Sequence, residues 1–275
     1  MSQTTTETPK RVISLELDSA ELAQTYDVTS TRQFNHGKLL IASLQPQPGE
    51  RVLDVGCGTG RLGEYVANLI APDGEVQGID PLPLRIDLAA RKNPRFHAQV
   101  GRAEDLSAFP DASFDVVYSN SVFHWVQDKP QALREALRVL KPGGRIGLNS
   151  ADQDRPHQSA ALYREAVLEE GFDIAEASAF GTNFRVTGAV LHKLLEEAGF
   201  EHVEVVSHTF VDEIQDADDL IAWSKSSSFG NFLSELNAEQ HKRVRERLAK
   251  KLEGFRKDGT IKLERYLVFA TGRKR

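Results

Sequence analysis

The stretch RVLDVGCGTG at residues 51–60 joins an apolar run to a glycine-rich turn. The run favours a buried β-strand, and Gly56, Gly58 and Gly60 can adopt positive φ and let the backbone approach a ligand closely. Their G-x-G-x-G spacing differs from the dinucleotide fingerprint G-x-G-x-x-G, which needs a glycine where this chain has Arg61. The loop therefore indicates a nucleotide-type ligand without a diphosphate.

A second predicted strand, EVQGID at residues 75–80, ends in an acidic residue. Folds with such a glycine loop place an acid at this point, about 20 residues after the glycines. The ionised carboxylate of Asp80 can accept hydrogen bonds from two vicinal hydroxyl groups at once. Asp80 is therefore predicted to hold a ribose.

At these residues the chain resembles the class I S-adenosylmethionine-dependent methyltransferases. The likeness rests on VLDVGCGTG, on the acid in Gly78-Ile79-Asp80 and on RVLKPGG at residues 138–144, and it spans roughly residues 26–148. The resemblance implies S-adenosylmethionine as the cofactor. Its methionine part is expected against the loop of Gly56, Cys57, Gly58 and Gly60, and its ribose is expected at Asp80. Asp54 matches the family acid that orients the loop or reaches the cofactor's amino group, and Asn120 falls where the family borders the sulfonium and the substrate.

The expected adenine contacts depart from the family pattern. The family commonly has an acid at the position of Arg102, to receive the adenine amino group. The backbone of Ala103 and the side chain of Glu104 are the expected replacements. Leu82, directly after Pro81, is predicted either to lie along an adenine face or to belong to the core.

Two further residues resemble the lid region of small-molecule relatives such as the trans-aconitate and biotin-pathway carboxyl methyltransferases. In those enzymes a Tyr and a Gln approach the cofactor's carboxylate or sulfonium, and the matching residues here are Tyr26 and Gln33. The same residues could simply belong to a half-buried surface helix. Both interpretations stay open from sequence alone.

His124 follows the predicted fourth strand and is the candidate for acid–base chemistry. Its ordinary pKa of about 6.5 suits a substrate-facing base or polar anchor, whereas the alternative is a packing histidine. A base is needed only when the attacking group is protonated, as in an alcohol, and a carboxylate attacks without one. Tyr26 is the other candidate catalytic residue, and no metal site is predicted.

Composition limits the classes of function. The chain has 275 residues, a net charge of -6 and no basic stripe of the kind that binds nucleic acid. Cys57 is its single cysteine, so an internal disulfide is excluded. No apolar run approaches the roughly 20 residues that cross a bilayer. We expect a cytoplasmic protein, monomeric or homodimeric, that acts on a small molecule and has no nucleic-acid or membrane partner.

Strands and helices alternate along the chain, which predicts an α/β fold. The expected architecture is a Rossmann-like, seven-stranded, mostly parallel sheet with helices on both faces and a helical cap built from insertions. Strands are expected at residues 51–55, 75–80, 95–100, 114–119, 145–149, 202–210 and 261–270. Residues 1–22 are expected to be disordered or loosely held, and residues 23–275 to form one methyltransferase domain. Its cofactor-binding core is placed at 45–150 and its cap at about 23–44, 152–186 and 215–257.

The predicted function is transfer of a methyl group from S-adenosylmethionine to an oxygen or carbon atom of a small molecule by in-line displacement. The likeness is to the ubiquinone-pathway and trans-aconitate groups. Three alternatives remain from sequence: an NAD(P)-dependent oxidoreductase, a cofactor-binding protein without catalysis, and a protein or RNA methyltransferase.

Overall fold

A computed structural model describes residues 13–172 and 184–275 of the chain. The strands in these ranges are β1 (Arg51–Val55), β2 (Glu75–Asp80), β3 (Phe96–Val100), β4 (Phe114–Ser119), β5 (Leu140–Ala151), β6 (Phe200–Ile214), β7 (Arg256–Lys257) and β8 (Thr260–Lys274). They form one sheet in the order β3-β2-β1-β4-β5-β8-β6, with β7 paired to β8. The strands from β3 to β5 pair in parallel, whereas β8 runs antiparallel to both of its long neighbours. The predicted α/β class is confirmed, and the predicted count of seven strands is wrong because the two-residue β7 adds an eighth.

Helices cover both faces of this sheet. They are α1 (Ala20–Thr29), α2 (Thr31–Leu44), α3 (Arg61–Leu69), α4 (Pro83–Ala89), α5 (Lys129–Val139), α6 (Gln158–Glu169), α7 (Gly188–Ala198), α8 (Ala217–Ser227) and α9 (Ala238–Leu252). Successive strand side chains point to opposite faces. In β1, Val52 packs in the cluster formed with α2, α3 and α4, whereas Leu53 packs in the cluster formed with α5 and α7. Both faces of β1 are therefore buried.

Strand order places a crevice at the carboxyl end of β1. Its partners β2 and β4 lie on opposite sides, so the chain leaves the two sides of β1 in opposite directions. In parallel α/β sheets, ligands bind at such a switch point. The residues that follow β1, β2 and β4 here are Gly56, Pro81 and Asn120.

A third apolar cluster supports a group of helices beyond the sheet. It joins α6, α8 and α9 to the far ends of β6 and β8, where Ile214, Ile261 and Leu263 are buried. Burial of Ile214 explains why β6 extends beyond the predicted 202–210, whereas β8 extends beyond the predicted 261–270 because Thr271, Gly272 and Arg273 pair with β5. Part of the predicted cap segment 23–44 belongs to the sheet layer and not to a cap, because Leu40, Ile41 and other α2 residues pack against the sheet. Residues 173–183 of the predicted cap lie outside the described ranges.

The fifth strand begins earlier than predicted. The sequence predicts this strand at residues 145–149, but β5 already pairs with β4 at Leu140. The pairing shifts register before it resumes at Arg145, so Gly143 and Gly144 form an irregularity within the strand.

The segment before α1 is better held than the sequence predicts. Residues 1–12 lie outside the described ranges, whereas Ser14 exchanges two backbone hydrogen bonds with the Asn231 side chain, at 3.0 and 2.8 Å. Asp18 forms a buried ion pair with Arg85 at 3.2 Å. The expectation of a loose N-terminus is therefore wrong for residues 13–22. Within the described ranges no helix combines the length and apolarity needed to cross a bilayer.

Candidate functional site

A cavity of about 340 Å³ lies at the carboxyl ends of β1, β2 and β4, and we call it the outer cavity. Nine of the residues singled out from the sequence line it: Tyr26, Gly56, Gly58, Asp80, Pro81, Leu82, Ala103, Glu104 and Asn120. Residues far apart in sequence thus meet at the switch point of the sheet. A smaller pocket and a second cavity adjoin it, and the remaining candidates except Gly60 line one or both of them.

The glycine loop closes tightly over the end of β2. The backbone N–H groups of Gly56 and Cys57 both donate to the carbonyl of Ile79, at 2.7 and 2.9 Å. Gly56 has φ of 81°, and a Cβ at this position would lie 2.3 Å from a methyl group of Val122. Only glycine fits both the backbone conformation and the space.

Asp80 joins the tip of β2 to the glycine loop. Its carboxylate accepts the backbone N–H of Gly58 at 2.9 Å and that of Leu82 at 3.0 Å. Burial raises the pKa of Asp80, although these two donors act in the opposite direction. The carboxylate oxygens keep further lone pairs that can accept from a ligand in the outer cavity.

Asp54 lies in the smaller pocket of about 30 Å³, together with Gln33, Cys57 and Tyr26. The hydroxyl of Tyr118 donates to its carboxylate at 2.6 Å. Burial raises the pKa of Asp54 to about 7, and the negative charge of Asp80 acts in the same direction. Asp54 therefore changes charge near neutral pH and can respond to a cation placed in this pocket.

Gly60 and Cys57 of the glycine loop pack mainly against the hydrophobic core and not toward the cavities. Gly60 lines none of the three spaces, and a Cβ there would lie 2.6 Å from the ring of Phe96 and 2.9 Å from Cα of Ala89. Cys57 borders the small pocket, but its side chain belongs to the core cluster and its Sγ packs against Gly78. The structure thus explains Gly60 by close packing of helix and strand.

Tyr26 stands where the spaces meet, because it lines the outer cavity, the small pocket and the second cavity. The guanidinium of Arg85 lies 4.5 Å from the centre of its ring. Burial raises the pKa of the Tyr26 phenol, so its hydroxyl stays protonated near neutral pH. Tyr26 can therefore donate a hydrogen bond at the junction of the three spaces.

Asn120 is fixed by a network of amides. Its side chain donates to the carbonyl of Gln33 at 3.0 Å and accepts from Asn149 at 2.7 Å. Asn149 is fully buried and also accepts the N–H of Ser121 at 2.7 Å. The network ties α2, where Gln33 lies, to the ends of β4 and β5.

The second space, which we call the inner cavity, has a volume of about 130 Å³. It shares Tyr26, Ser121, Trp125 and Ser227 with the outer cavity. His124 lines it on the side that follows β4, whereas α8 contributes Trp223. A molecule in the inner cavity would thus reach the outer cavity across a border of four residues.

His124 is poorly suited to act as a base. Its Nδ1 accepts the backbone N–H of Ala151 at 3.3 Å, so in the neutral ring the proton sits on Nε2. Burial lowers the pKa of His124 to about 3, and the positive charges of Arg185 and Lys129 act in the same direction. These observations oppose the base interpretation and favour a neutral hydrogen-bond donor.

We expect the His124 ring to stay neutral between about pH 5 and about pH 8, because its surroundings disfavour the charged form. NMR of the imidazole resonances would test this, with His124→Gln used to assign the His124 signal. A titration midpoint close to about 6.5, the ordinary value, would contradict the description of this site.

Several residues of the site escape sequence reasoning. Arg85 belongs to no sequence motif, yet it is buried and donates to the carbonyl of Ser226 at 2.7 Å. Arg32 lies beside the predicted Gln33 but carries no motif. Asn149 ends a predicted strand, and only the fold places it beside Asn120. Arg155 lies exposed against the ring of Tyr266, away from these residues.

Comparison with known proteins agrees with this architecture. Residues 53–148 match the methyltransferase domain family. Malonyl-[acyl-carrier protein] O-methyltransferase of Serratia marcescens is 35% identical over 125 residues, which cover 45% of this chain and 47% of that protein. Trans-aconitate 2-methyltransferase of Deinococcus radiodurans is 28% identical over 203 residues, covering 72% of this chain and 76% of that protein.

The solved structures extend the likeness in fold. Phosphoethanolamine N-methyltransferase 2 of Haemonchus contortus, in complex with S-adenosyl-L-methionine, superposes with a TM-score of 0.59 and 18% identity. The match covers 98% of this chain and 62% of that structure. The chain spans about half the length of the Serratia relative, so the likeness is strongest in the shared domain. The glycine loop, the parallel sheet and the match over residues 53–148 together support a methyltransferase domain of the class I, S-adenosylmethionine-dependent type in this chain.

Proposed function

We propose that this protein transfers a methyl group from S-adenosylmethionine to an oxygen or carbon atom of a small molecule. The observation that carries the proposal is the outer cavity, which places the glycine loop, Asp80 and Asn120 around one space inside the matched domain. The inner cavity adjoins it and provides room for an acceptor. The predicted cytoplasmic location and the monomeric or homodimeric state remain predictions.

The described residues fit the cofactor in three parts. Asp80 would accept the two ribose hydroxyls, since its carboxylate retains acceptor capacity beside two backbone donors. Leu82, Ala103 and Glu104 line the part of the outer cavity proposed for adenine. The small pocket has room for about two water-sized groups, which suits the amino and carboxylate ends of the methionine part.

When bound, the cofactor supplies a methyl group on a sulfonium, and an acceptor lone pair displaces the neutral thioether in line with the breaking bond. The residues around the two cavities align the two reactants, and such positioning can lower the activation barrier by up to about 7–11 kcal/mol. Tyr26 stands at the border between the two cavities, Asn120 lines the outer cavity, and both would orient the reacting groups. His124 would hold the acceptor through its Nε2–H and not remove its proton.

The oxidoreductase alternative is disfavoured at Arg61. This residue occupies the place of the third glycine of a dinucleotide loop, and its guanidinium donates to Ser30 Oγ at 3.2 Å. It also packs over the ring of Phe34, with Cζ 5.1 Å from the ring centre. The space beside the helix start is thus narrow, which supports a ligand without a diphosphate.

Asp54 makes cofactor affinity dependent on pH. The ammonium group of S-adenosylhomocysteine favours the ionised carboxylate, so binding lowers the pKa of Asp54 from about 7. Protonation of Asp54 removes this attraction, and below the free-state pKa affinity should fall by up to about tenfold per pH unit. Isothermal titration from about pH 6 to about pH 8 should therefore show tighter binding at higher pH.

The control for this prediction is Asp54→Asn, which keeps the shape of the side chain but cannot ionise. Its affinity should be lower than that of the wild type at pH 8 and should not change across the same range. A wild-type affinity that is equally flat would show that Asp54 does not meet the ammonium group.

The activity itself is tested by incubating the protein with methyl-labelled S-adenosylmethionine and a library of small organic acids, alcohols and phenols. The proposal predicts one labelled product and stoichiometric S-adenosylhomocysteine, with both lost in Asp80→Ala. Binding of the cofactor without transfer to any acceptor class would favour a cofactor-binding protein without catalysis. Labelling confined to protein or RNA would favour a protein or RNA methyltransferase.

A further inference from the structure

The inner cavity has a strongly basic wall. No acidic side chain lines it among the described residues. Three arginines and three histidines do: Arg32, Arg185, Arg265, His36, His124 and His157. The chain as a whole is acidic, with a net charge of -6. Basic residues are therefore concentrated at this cavity against the overall balance of charge.

Two of the three histidines of this wall are fixed as hydrogen-bond donors. Nδ1 of His157 accepts the backbone N–H of Tyr266 at 3.1 Å, as Nδ1 of His124 accepts that of Ala151. Each neutral ring therefore carries its proton on Nε2. Among the described residues the wall carries arginine and histidine donors and no carboxylate, so it suits a ligand that accepts hydrogen bonds.

Arg32 has an unused donor at this site. Its Nη2 donates to the carbonyl of Glu213 at 3.1 Å and lies 3.5 Å from Asp219, which is about a third exposed. Its Nη1 is buried and has no hydrogen-bond partner among the described residues. Buried donors are nearly always paired, so this one indicates a missing acceptor.

Arg265 shares its buried carboxylate partner with Arg32. It is buried and donates through Nε to Asp212 at 2.7 Å, and Asp212 is not part of the cavity wall. Arg32 also approaches Asp212, at 4.0 Å. Two guanidinium groups thus face one buried carboxylate. Because Asp219 is partly screened by solvent, the pair retains positive charge toward the cavity.

Aromatic rings complete the wall. Both guanidinium groups stack on Trp223, at 5.3 Å for Arg32 and 4.4 Å for Arg265 from Cζ to the ring centre. Tyr163 and Phe232 add two more rings to the lining. The cavity therefore offers a flat, apolar surface beside a small cationic one.

We propose that the inner cavity binds the methyl acceptor through a carboxylate, which Arg32 Nη1 receives beside Arg265, so that the substrate is a small carboxylic acid. The inference rests on the proposed function, since it names the substrate class of that reaction. An amine would meet three arginines, and a neutral molecule would leave the buried donor of Arg32 weakly paired. The planar fork of arginine suits the planar carboxylate.

The two tryptophans of the chain make this testable without knowing the natural substrate. Trp125 and Trp223 are the only tryptophans in the sequence, and both line the inner cavity. Intrinsic tryptophan fluorescence therefore reports on this cavity, and because Trp125 also borders the outer cavity, that cavity is kept saturated with cofactor product throughout. We would titrate protein saturated with S-adenosylhomocysteine with benzoate, phenylacetate and fumarate, and with the corresponding amides benzamide, phenylacetamide and fumaramide.

The expected result is a saturable fluorescence change in which at least one acid binds about tenfold or more tightly than its amide. Arg32→Met should lower the affinity for that acid by about tenfold or more and leave the amide nearly unchanged, and Arg32→Lys should fall between. Arg155→Met is the matched control, because Arg155 is exposed outside the cavity, and it should behave as wild type.

The outcomes separate this inference from the proposed function. Equal binding of acids and amides, no saturation by any acid, or an acid preference that survives Arg32→Met would each overturn the carboxylate assignment. S-adenosylhomocysteine binding, measured separately by isothermal titration, would remain intact in all of these cases. If it is lost in Arg32→Met, the variant is misfolded, and Arg32→Lys then decides. If the wild type itself does not bind S-adenosylhomocysteine, the proposed function fails first.

Discussion

Asp80→Ala should abolish most of the affinity for S-adenosylhomocysteine. The substitution removes the proposed acceptor of both ribose hydroxyls, and hydrogen bonds to a charged group contribute about 1.5–3 kcal/mol each. It also leaves the N–H groups of Gly58 and Leu82 without their partner. We expect affinity to fall by about 100-fold or more in isothermal titration.

Asp87→Ala is the matched control for this variant, because Asp87 is exposed on the neighbouring α4. It should bind S-adenosylhomocysteine as the wild type does. Asp80→Asn should lie between, since an amide keeps one acceptor oxygen but loses the charge. Wild-type affinity in Asp80→Ala would show that the ribose does not lie at the tip of β2.

Gly56→Ala should damage both the fold and cofactor binding. The residue has φ of 81°, and its Cβ would lie 2.3 Å from Val122. Left-handed backbone costs about 1–2 kcal/mol for a residue with a side chain, and overpacking adds about 1–3 kcal/mol. Chemical denaturation should show a loss of about 2–5 kcal/mol in the free energy of unfolding, and affinity for S-adenosylhomocysteine should drop by about tenfold or more.

Gly49→Ala separates the two causes. Gly49 has nearly the same φ, 83°, but nothing lies within 4 Å of a Cβ there. This variant should lose only the cost of the backbone conformation and keep its cofactor affinity. Equal losses in the two variants would mean that contact with Val122 has no role in shaping the loop.

The parts of the site that the sequence predicted are those whose signal is local. β1, β2 and β4 have the predicted bounds because each is a short segment with buried apolar residues, and each is followed by a turn residue: Gly56, Pro81 or Asn120. Asp80 could be located because its distance from the glycines follows from one helix and one strand. The fold class and the family rest on these elements, and both predictions are confirmed.

The missed parts depend on contacts between distant residues. β6 and β8 are longer than predicted because they pair with each other along their length and carry Ile214 and Ile261 into the cap. The inner cavity combines Arg32 of α2 with Arg265 of β8, and no pattern in sequence links them. Gly60 shows the opposite case, because the motif identifies the residue but not the cause, which is the close approach of Phe96.

His124 illustrates how surroundings change chemistry. Its place after β4 was predicted, and an ordinary imidazole there would suit acid–base catalysis. Burial beside Arg185 and Lys129 instead lowers its pKa to about 3, and sequence does not reveal that environment. A reaction in this site is therefore best served by an acceptor atom that needs no base.

The central claim is that the outer cavity holds S-adenosylmethionine, and isothermal titration with S-adenosylmethionine, S-adenosylhomocysteine and NAD tests it most directly. The account predicts saturable binding of the first two at one site per chain and no measurable binding of NAD. Binding of NAD without either sulfur compound would contradict the assignment of the glycine loop and Asp80, and would return the oxidoreductase alternative to first place.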